Sequence, residues 1–343
     1  MATLHILILN WNGLDDSIEC IDALLASSHT DFLAHVIDNG SAGDDAEVLR
    51  SRYAADRRVA VTRNSNNLGF TGGMNKALRE LLAKETSGYV FLLNNDALVA
   101  PDCLARVLDA AERSSAAIVG TRMVRYDDPT RLDNAGHIWI NTGEILPRGA
   151  GDAANTYAES TELVGACAGA ALYSLELLRE IGVFDDFFDT GYEDAELGLR
   201  AYLAGYPTYL CADALVRHKV SRSIDKIRNL DYAINIQRNI NYTILKLTPL
   251  PTLLLNAPFI LVKTLAVPLT ALILLRFRLF RAHITALWRT SKYLGTALRA
   301  RRSVPPTRLT TGQTLAAQRF FLGIYLGYFR DYMLTGEPTV FER

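Results

Sequence analysis

The 343-residue chain is 49% apolar and 21% charged, a balance that supports a packed core and excludes a disordered polymer. Its formal net charge of -1 conceals an asymmetry: residues 1–231 carry 21 Lys and Arg against 34 Asp and Glu, and residues 232–343 carry 15 against 3. Four scattered cysteines, Cys20, Cys103, Cys167 and Cys211, lack the close pairs of a zinc or redox motif and read as buried thiols of a reducing compartment. The opening MATLHILILN has neither the basic region nor the long apolar core of a secretion signal, so the cytoplasm is the expected location.

Short apolar runs at Leu4–Leu9, Leu33–Ile37, Val59–Val61, Tyr89–Leu93 and Ile118–Val124 alternate with helical spacing at Leu14–Ala26, Asp44–Tyr53, Gly73–Lys84 and Pro101–Arg113, the last with proline in its first turn. This rhythm predicts parallel strands joined by crossover helices, and ligands of such an open α/β sheet gather beyond the carboxyl ends of its strands. From Asp127 to Ser160, turn residues surround a short hairpin candidate, an excursion from the sheet. The small apolar stretch Leu163–Tyr173 suits close approach to a ligand or, equally, to another backbone. Helices follow near Ser174–Ile181 and Asp194–Ala204, the second stopped by Gly205.

The polar stretches after the strands are the chemically unusual parts. Strand two ends in Asp38-Asn39-Gly40-Ser41, which reads as a turn or as a carboxylate offered at the ligand edge. Arg63 to Asn75 follows strand three and opens a helix whose free N–H groups suit an anion; it matches neither G-x-G-x-x-G nor a Walker loop. Strand four delivers Asn94-Asn95-Asp96, where a hard carboxylate oxygen suits a divalent metal on a diphosphate and a plain turn is the alternative. Six carboxylates stand in the twelve positions from Asp185 to Glu196, either as a solvated helix start or as the source of a base for a hydroxyl proton. His218 closes a short apolar run 24 residues beyond Asp194.

Taken together and in this order, Asn10-Trp11-Asn12-Gly13, Asp38-Asn39-Gly40-Ser41, Asn66-Asn67-Leu68-Gly69-Phe70 with Gly72, Gly73 and Asn75, Asn94-Asn95-Asp96, and Glu193-Asp194-Ala195-Glu196-Leu197-Gly198-Leu199-Arg200 resemble the glycosyltransferase family 2 enzymes of the GT-A fold. The likeness is greatest to bacterial rhamnosyltransferases and galactofuranosyltransferases of cell-surface polysaccharide synthesis, and it covers roughly Leu4 to Ser223. It implies a GT-A type, Rossmann-like mixed α/β sheet flanked by helices over residues 1–228, with a nucleotide-sugar half to about residue 125 and an acceptor half from 126. By that resemblance Asp38 and Arg63 meet the nucleotide base, Asn94 lies by the ribose, and Asn10, Asn67, Gly69, Gly73, Asn75 and Asn95 complete the nucleotide-sugar site. Asp96 and His218 hold Mg²⁺ or Mn²⁺, Asp194 with Glu193 beside it is the catalytic base, and Asp185, Tyr192 and Arg200 meet the acceptor. The family's metal motif is often Asp-x-Asp; Asn94 in its first position leaves Asp96 as the carboxylate, so His218 carries more weight. The implied hexosyltransferase reaction is an in-line displacement with inversion, moving L-rhamnose from dTDP-rhamnose, or alternatively galactofuranose from UDP-galactofuranose, onto a polyprenyl-diphosphate-linked saccharide.

Residues 229–343 read as an all-α, basic, amphipathic, membrane-associated region. Tyr232–Arg330 holds fourteen Lys or Arg and no acid, while Leu247–Leu275 is apolar but split by Lys263 and interrupted by four prolines, with charge-free runs of 16 and 12 residues. A crossing helix wants about 20 consecutive apolar residues, so lying in the interface is favoured. Arg276 to Arg302, interleaved with Phe277, Phe280, Trp288 and Tyr293, suits anchoring at headgroup depth on anionic lipid. Nucleic acid, the rival partner for this basic surface, needs no aliphatic runs such as Leu253–Leu255 and is not expected. A helix near Thr314–Tyr332 packs on the others, covers the catalytic domain, or joins protomers of a homo-oligomer. These readings place the chain on the cytoplasmic face of a bacterial inner membrane, peripheral or monotopic. Two rival functions are a sugar nucleotidyltransferase, whose Gly-rich basic loop Asn10–Gly13 does not supply, and a non-catalytic membrane scaffold.

Overall fold

In chain order, β1 (Leu4–Asn10), α1 (Leu14–Leu25), β2 (Phe32–Asp38), α2 (Asp45–Arg52), β3 (Val59–Arg63), α3 (Gly69–Lys84) and β4 (Tyr89–Asn94) lay down a parallel set, with β1 between β4 and β2 and with β3 outside β2. This computed structural model describes residues 3–219 and 230–327. Leu4, Ile6, Leu7 and Ile8 are all buried, as expected of a strand covered on both faces, whose sequence is a continuous apolar run and not an alternation. The helix expected from Gly73 begins at Gly69, so the glycine-rich stretch forms its first turn. The helix expected from Pro101 is α4 (Cys103–Ser114), preceded by β5 (Ala97–Val99); Pro101 stays in the turn before it, where its carbonyl accepts the Ser28 N–H at 2.7 Å.

The sheet then becomes mixed. β6 (Ile118–Arg125), β7 (Leu132–Asn134), β8 (His137–Ile140), β9 (Ile145–Pro147), β10 (Thr161–Leu163), β11 (Ala170–Ser174), α5 (Leu175–Ile181), α6 (Glu193–Leu203) and β12 (Thr208–His218) follow, giving the ten-stranded order β10-β12-β6-β11-β4-β1-β2-β3, with β5 on β12 and β7 on β6. β11 runs antiparallel between β4 and β6, and β12 runs parallel to β6. The small stretch before β11 is a backbone-to-backbone contact: a Cβ on Gly198 of α6 would stand 2.7 Å from the Gly165 Cα. Only glycine at both places lets α6 come this close.

The chain divides into two units, one of Met1–His137, Pro147–Tyr202 and Tyr206–Ser223, the other of Ile138–Leu146, Leu203–Gly205 and Ile224–Arg343. In the second, α7 (Leu230–Leu247) packs on α9 (Phe277–Ser303) through Ile234, Ala282 and Ala286, and α8 (Leu250–Ile273) lies between them in sequence. α8 is long and apolar enough to cross a membrane, and only 17% of its apolar window is buried, unlike the core helix of a soluble domain. Lys263, expected to split this apolar run, is 7% exposed and paired with Glu144 at 3.0 Å, so its charge leaves the outward face uninterrupted. The helix expected at Thr314–Tyr332 is broken: after α10 (Thr311–Ala316), β13 (Gln318–Arg319) pairs with Trp139 and Ile140 of β8, and helix resumes over 321–327. Asn141 enforces the break, donating its N–H to the Arg319 carbonyl at 3.0 Å and accepting the Phe321 N–H at 2.9 Å. The remainder of that expected helix lies outside the described residues.

On an open helix face Gly→Ala stabilises by about 0.5–1 kcal/mol. Gly198→Ala should instead destabilise the protein by about 1–2 kcal/mol, because its methyl meets backbone that no rotamer change can clear. Urea unfolding of the two proteins checks this, and a midpoint at or above wild type would show the contact to be loose.

Candidate active site

The carboxyl ends of β1, β2 and β3 align Asn10, Asp38 and Arg63 as neighbouring register partners. Asp38 is wholly buried and accepts from Asn10 Nδ2 at 2.9 Å and from the Ser41 hydroxyl and N–H, while Arg63 Nε lies 3.4 Å from its other oxygen. Asn10 is spent as well, on Asp38, Asp45 and Ser17. Asn39 staples this turn to the next loop, donating to Asn67 Oδ1 and the Gly69 carbonyl and accepting from Asn64 and the Leu68 N–H. Gly40, at φ +73°, lets the Asn66 backbone pass within 2.5 Å of where a Cβ would sit.

Asp96 leaves the end of β4 and is fixed by the antiparallel pairing of β5 with β12, in which Ala97 faces His218. The His218 ring stands between two carboxylates, with Nε2 3.1 Å from Asp96 Oδ1 and Nδ1 2.8 Å from Asp133 Oδ2. Burial works against a charge on this ring, yet the hydrogen bonds to Asp133 and Asp96 more than offset it and push His218 up to about 10. Burial likewise would raise Asp96, but the His218 contact prevails and holds the carboxyl below its ordinary range. A carboxylate oxygen and an imidazole nitrogen thus converge on one point now served by a proton, with Asp133 orienting the ring from behind; that donor set fits a divalent cation.

Asp194 lies in the first turn of α6, 19% exposed, and accepts the Ala168 N–H at 3.1 Å, a bond made possible by the Gly165–Gly198 approach. His137 Nε2 is 3.8 Å from Asp194 Oδ2, and burial lowers that imidazole below its usual value despite Asp194. Burial, then the charges of Asp194 and Asp133, push the Cys167 thiol well up, so it is a neutral thiol. Glu193 is buried, and desolvation followed by the Asp194 carboxyl pushes it up to about 8, so Glu193 holds its proton at neutral pH. Tyr192, at φ +79°, precedes the pair in a left-handed conformation unusual for a bulky residue.

Several expected contact residues turn inward. Asp38 and Asn10 shape the base-side turn but are themselves covered. Asn75 donates to the Phe184 carbonyl and Asp186, tying α3 to the acidic loop, and Gly73 packs on Leu9 and Asn39. Asn95 donates to Ser17 of α1 and to the carbonyl of Gly13 just before it. Arg200, expected at the acceptor, spends its guanidinium on Glu196 and the carbonyls of Ile181, Gly182 and Val183. Asp185 accepts the Phe187 N–H within its own loop. Arg63, Asn67, Gly69, Asn94 and Tyr192 remain at least partly open. Sequence reasoning missed Asp133 and His137, which sit in the turn-rich excursion where neither period nor spacing marked them, and quoted Asn39 only as part of a motif.

Residues 6–182 match the family model of glycosyl transferase family 2. The chain belongs to that family. Galactofuranosyltransferase GlfT1 of Mycobacterium tuberculosis (strain H37Rv) is 27% identical over 216 residues, 60% of this chain and 66% of that protein. The O-antigen biosynthesis protein RfbC of Myxococcus xanthus is 26% identical over 224 residues, 62% of this chain and 17% of that protein. The match thus spans just under two-thirds of the first relative and a small part of the second. The mannosyltransferase PcManGT from Pyrobaculum calidifontis, solved with GDP-Man and Mn²⁺, superposes with a TM-score of 0.54 at 16% identity, over 96% of this chain and 82% of that one. The mixed sheet with flanking helices is therefore the GT-A fold of the family.

Because folded Glu193 holds its proton to about pH 8 whereas an unfolded Glu releases it near 4.3, the folded state binds more protons between those values and stability falls as pH rises through that window. Glu193→Gln removes this dependence. Its melting temperature relative to wild type should be higher at pH 8 than at pH 5, and a pH-independent difference would place the carboxyl in an ordinary environment.

Proposed function

We propose that this family 2 protein is an inverting hexosyltransferase in which Asp194 is the base and Asp96 and His218 hold Mg²⁺ or Mn²⁺. The observations that carry the reading are the Asp96–His218–Asp133 arrangement, which supplies a metal-ligand pair, and the partly open Asp194 carboxylate held by the Ala168 N–H. The acceptor hydroxyl gives its proton to Asp194 while its oxygen attacks the anomeric carbon; the bond from that carbon to the nucleoside diphosphate breaks, and the configuration inverts. The Ala168 N–H orients the base before substrate arrives, and protonated Glu193 adds no second negative charge beside it. A cation bound at Asp96 and His218 would neutralise charge growing on the departing diphosphate.

The donor is L-rhamnose from dTDP-rhamnose on the order of the motifs; galactofuranose from UDP-galactofuranose is favoured by the likeness to galactofuranosyltransferase GlfT1. The acceptor is a polyprenyl-diphosphate-linked saccharide of cell-surface polysaccharide synthesis, a reading supported by the likeness to an O-antigen biosynthesis protein. Outward leucines of α8, such as Leu254, Leu261 and Leu265, together with the arginines of α9, support seating on anionic lipid at the cytoplasmic face of the inner membrane. A non-catalytic scaffold with a merely solvated acidic loop does not account for buried Glu193 or for the aligned Asp194.

Asp194→Asn should leave donor binding intact and lower turnover about 10²-fold or more; unchanged release of nucleoside diphosphate would remove Asp194 from the chemistry. Separately, Asp96→Ala and His218→Ala should each abolish the gain in donor affinity that Mg²⁺ gives, measured by calorimetry with and without the cation. Wild-type affinity that ignores Mg²⁺ would remove the metal from the reading.

A further inference from the structure

His137 opens β8, and the backbone leaves its ring little freedom. Its N–H donates to the Gly165 carbonyl at 2.9 Å, in an antiparallel bridge between the two residues, and Gly136 before it, at φ +100°, tolerates no side chain because a Cβ there would collide with Leu163. The ring is buried against the glycine contact that brings α6 in: a Cβ on Gly165 would stand 3.2 Å from His137 Nδ1. Nδ1 is covered and has no hydrogen-bond partner among the described residues. Nε2 lies 3.8 Å from Asp194 Oδ2, the oxygen that accepts the Ala168 N–H. A buried nitrogen without a partner is expensive, and phenylalanine would fill this place without one. Packing therefore does not explain a histidine here, whereas the position of Nε2 does. A bare lone pair is more readily left unpaired than an N–H, which assigns the ring proton to Nε2, on the side of Asp194. Burial lowers the imidazole below its usual value, so the ring is a neutral donor.

We infer that His137 is a positioning residue for the sugar transfer: its Nε2–H closes onto Asp194 Oδ2 when substrates fill the site and, with the Ala168 N–H, holds the carboxyl in the orientation that receives the acceptor proton. Hydrogen bonds of this kind are often long before substrate binds and shorten in the reacting complex. The acceptor proton passes to Asp194 and the ring keeps its own, so His137 neither gains nor loses a proton in the step. Its neutrality matters, because a cation at this distance would make Asp194 a weaker base, whereas a neutral donor aligns the carboxyl with little loss of basicity. The inference rests on Asp194 as the base and adds the residue that aims it.

Turnover is read as release of nucleoside diphosphate by the full-length protein from dTDP-rhamnose and from UDP-galactofuranose, each with a synthetic polyprenyl-diphosphate disaccharide. His137→Phe, which keeps the volume of the ring and removes both nitrogens, should lower kcat about ten-fold or more while donor KM stays within about two-fold. It should melt no lower than wild type, because the stranded Nδ1 is gone. His137→Gln, whose amide donates from nearly the same place, should restore kcat to within about three-fold of wild type. In an Asp194→Asn background, His137→Phe should cost nothing further. Wild-type turnover in His137→Phe, or equal losses in His137→Phe and His137→Gln, overturns the positioning role. Should His137→Phe prove unstable, or neither donor react, ¹⁵N spectra of the wild-type histidines decide. The His137 ring, assigned by its loss in His137→Gln, should be uncharged with its proton on Nε2 at neutral pH, and a charged or Nδ1-protonated ring overturns the inference whatever the activity. Failure of the underlying reading looks different: Asp194→Asn with wild-type turnover removes the base itself, whereas a crippled Asp194→Asn beside a fully active His137→Phe removes His137 alone.

Discussion

A histidine ring clamped between two carboxylates is the constraint on which this site depends. Asp96 follows β4, Asp133 lies in the middle of β7 and His218 ends β12; Asp96 is buried and Asp133 largely covered, so each acid alone would be costly there. With positive charge on the ring between them, both are satisfied; without it, two desolvated anions would repel across a few ångströms. The three-residue strand β5 is held by the same arrangement, since Lys219, next to His218, donates its N–H to the Asp96 carbonyl and anchors its ammonium on Asp16 and Glu19. The arrangement thus favours positive charge at this point, and a proton on His218 supplies it.

The second constraint is steric. Asp194 could sit at the start of α6 in many orientations, but the Gly165–Gly198 contact brings the helix near enough for the Ala168 N–H to fix one of its oxygens. The cost of the left-handed Tyr192 just before the helix is then understandable, because it turns the acidic loop into α6 at the angle this approach requires. Gly69 serves the same loop from the other side: at φ +71°, it lies so close to Asp189 that any side chain would collide with that carboxylate. Positioning here comes from absent side chains as much as from present ones.

These relations were unequally legible in the sequence. β1 to β4 and their helices were readable because the inner strands, covered on both faces, leave continuous apolar runs, and Asp96, Asp194 and His218 stood out by motif and order. The inward turn of Asp38, Asn75 and Arg200 was not, since a polar residue at a strand end looks the same whether it faces a ligand or a neighbouring loop. Asp133 and His137 escaped because their partners, His218 and Asp194, are distant in the chain. The broken helix after α10 has the same origin: local spacing favours helix, and pairing of Gln318 and Arg319 with β8 overrides it.

Lys263 illustrates how such a long-range partner can change a conclusion about environment. A lysine in the middle of an apolar helix argues against burial in lipid, because the isolated charge is expensive there. Once Glu144 is found against it, the helix presents to its surroundings an unbroken face of Leu254, Leu261, Leu265, Leu269 and Leu272, and the charge becomes an internal matter of the C-terminal unit. The prolines then remain as the local features that disfavour a straight crossing, Pro258 and Pro268 each removing a donor from the helix interior. An apolar face of that length with a basic helix after it supports the proposed seating at the boundary between headgroups and acyl chains.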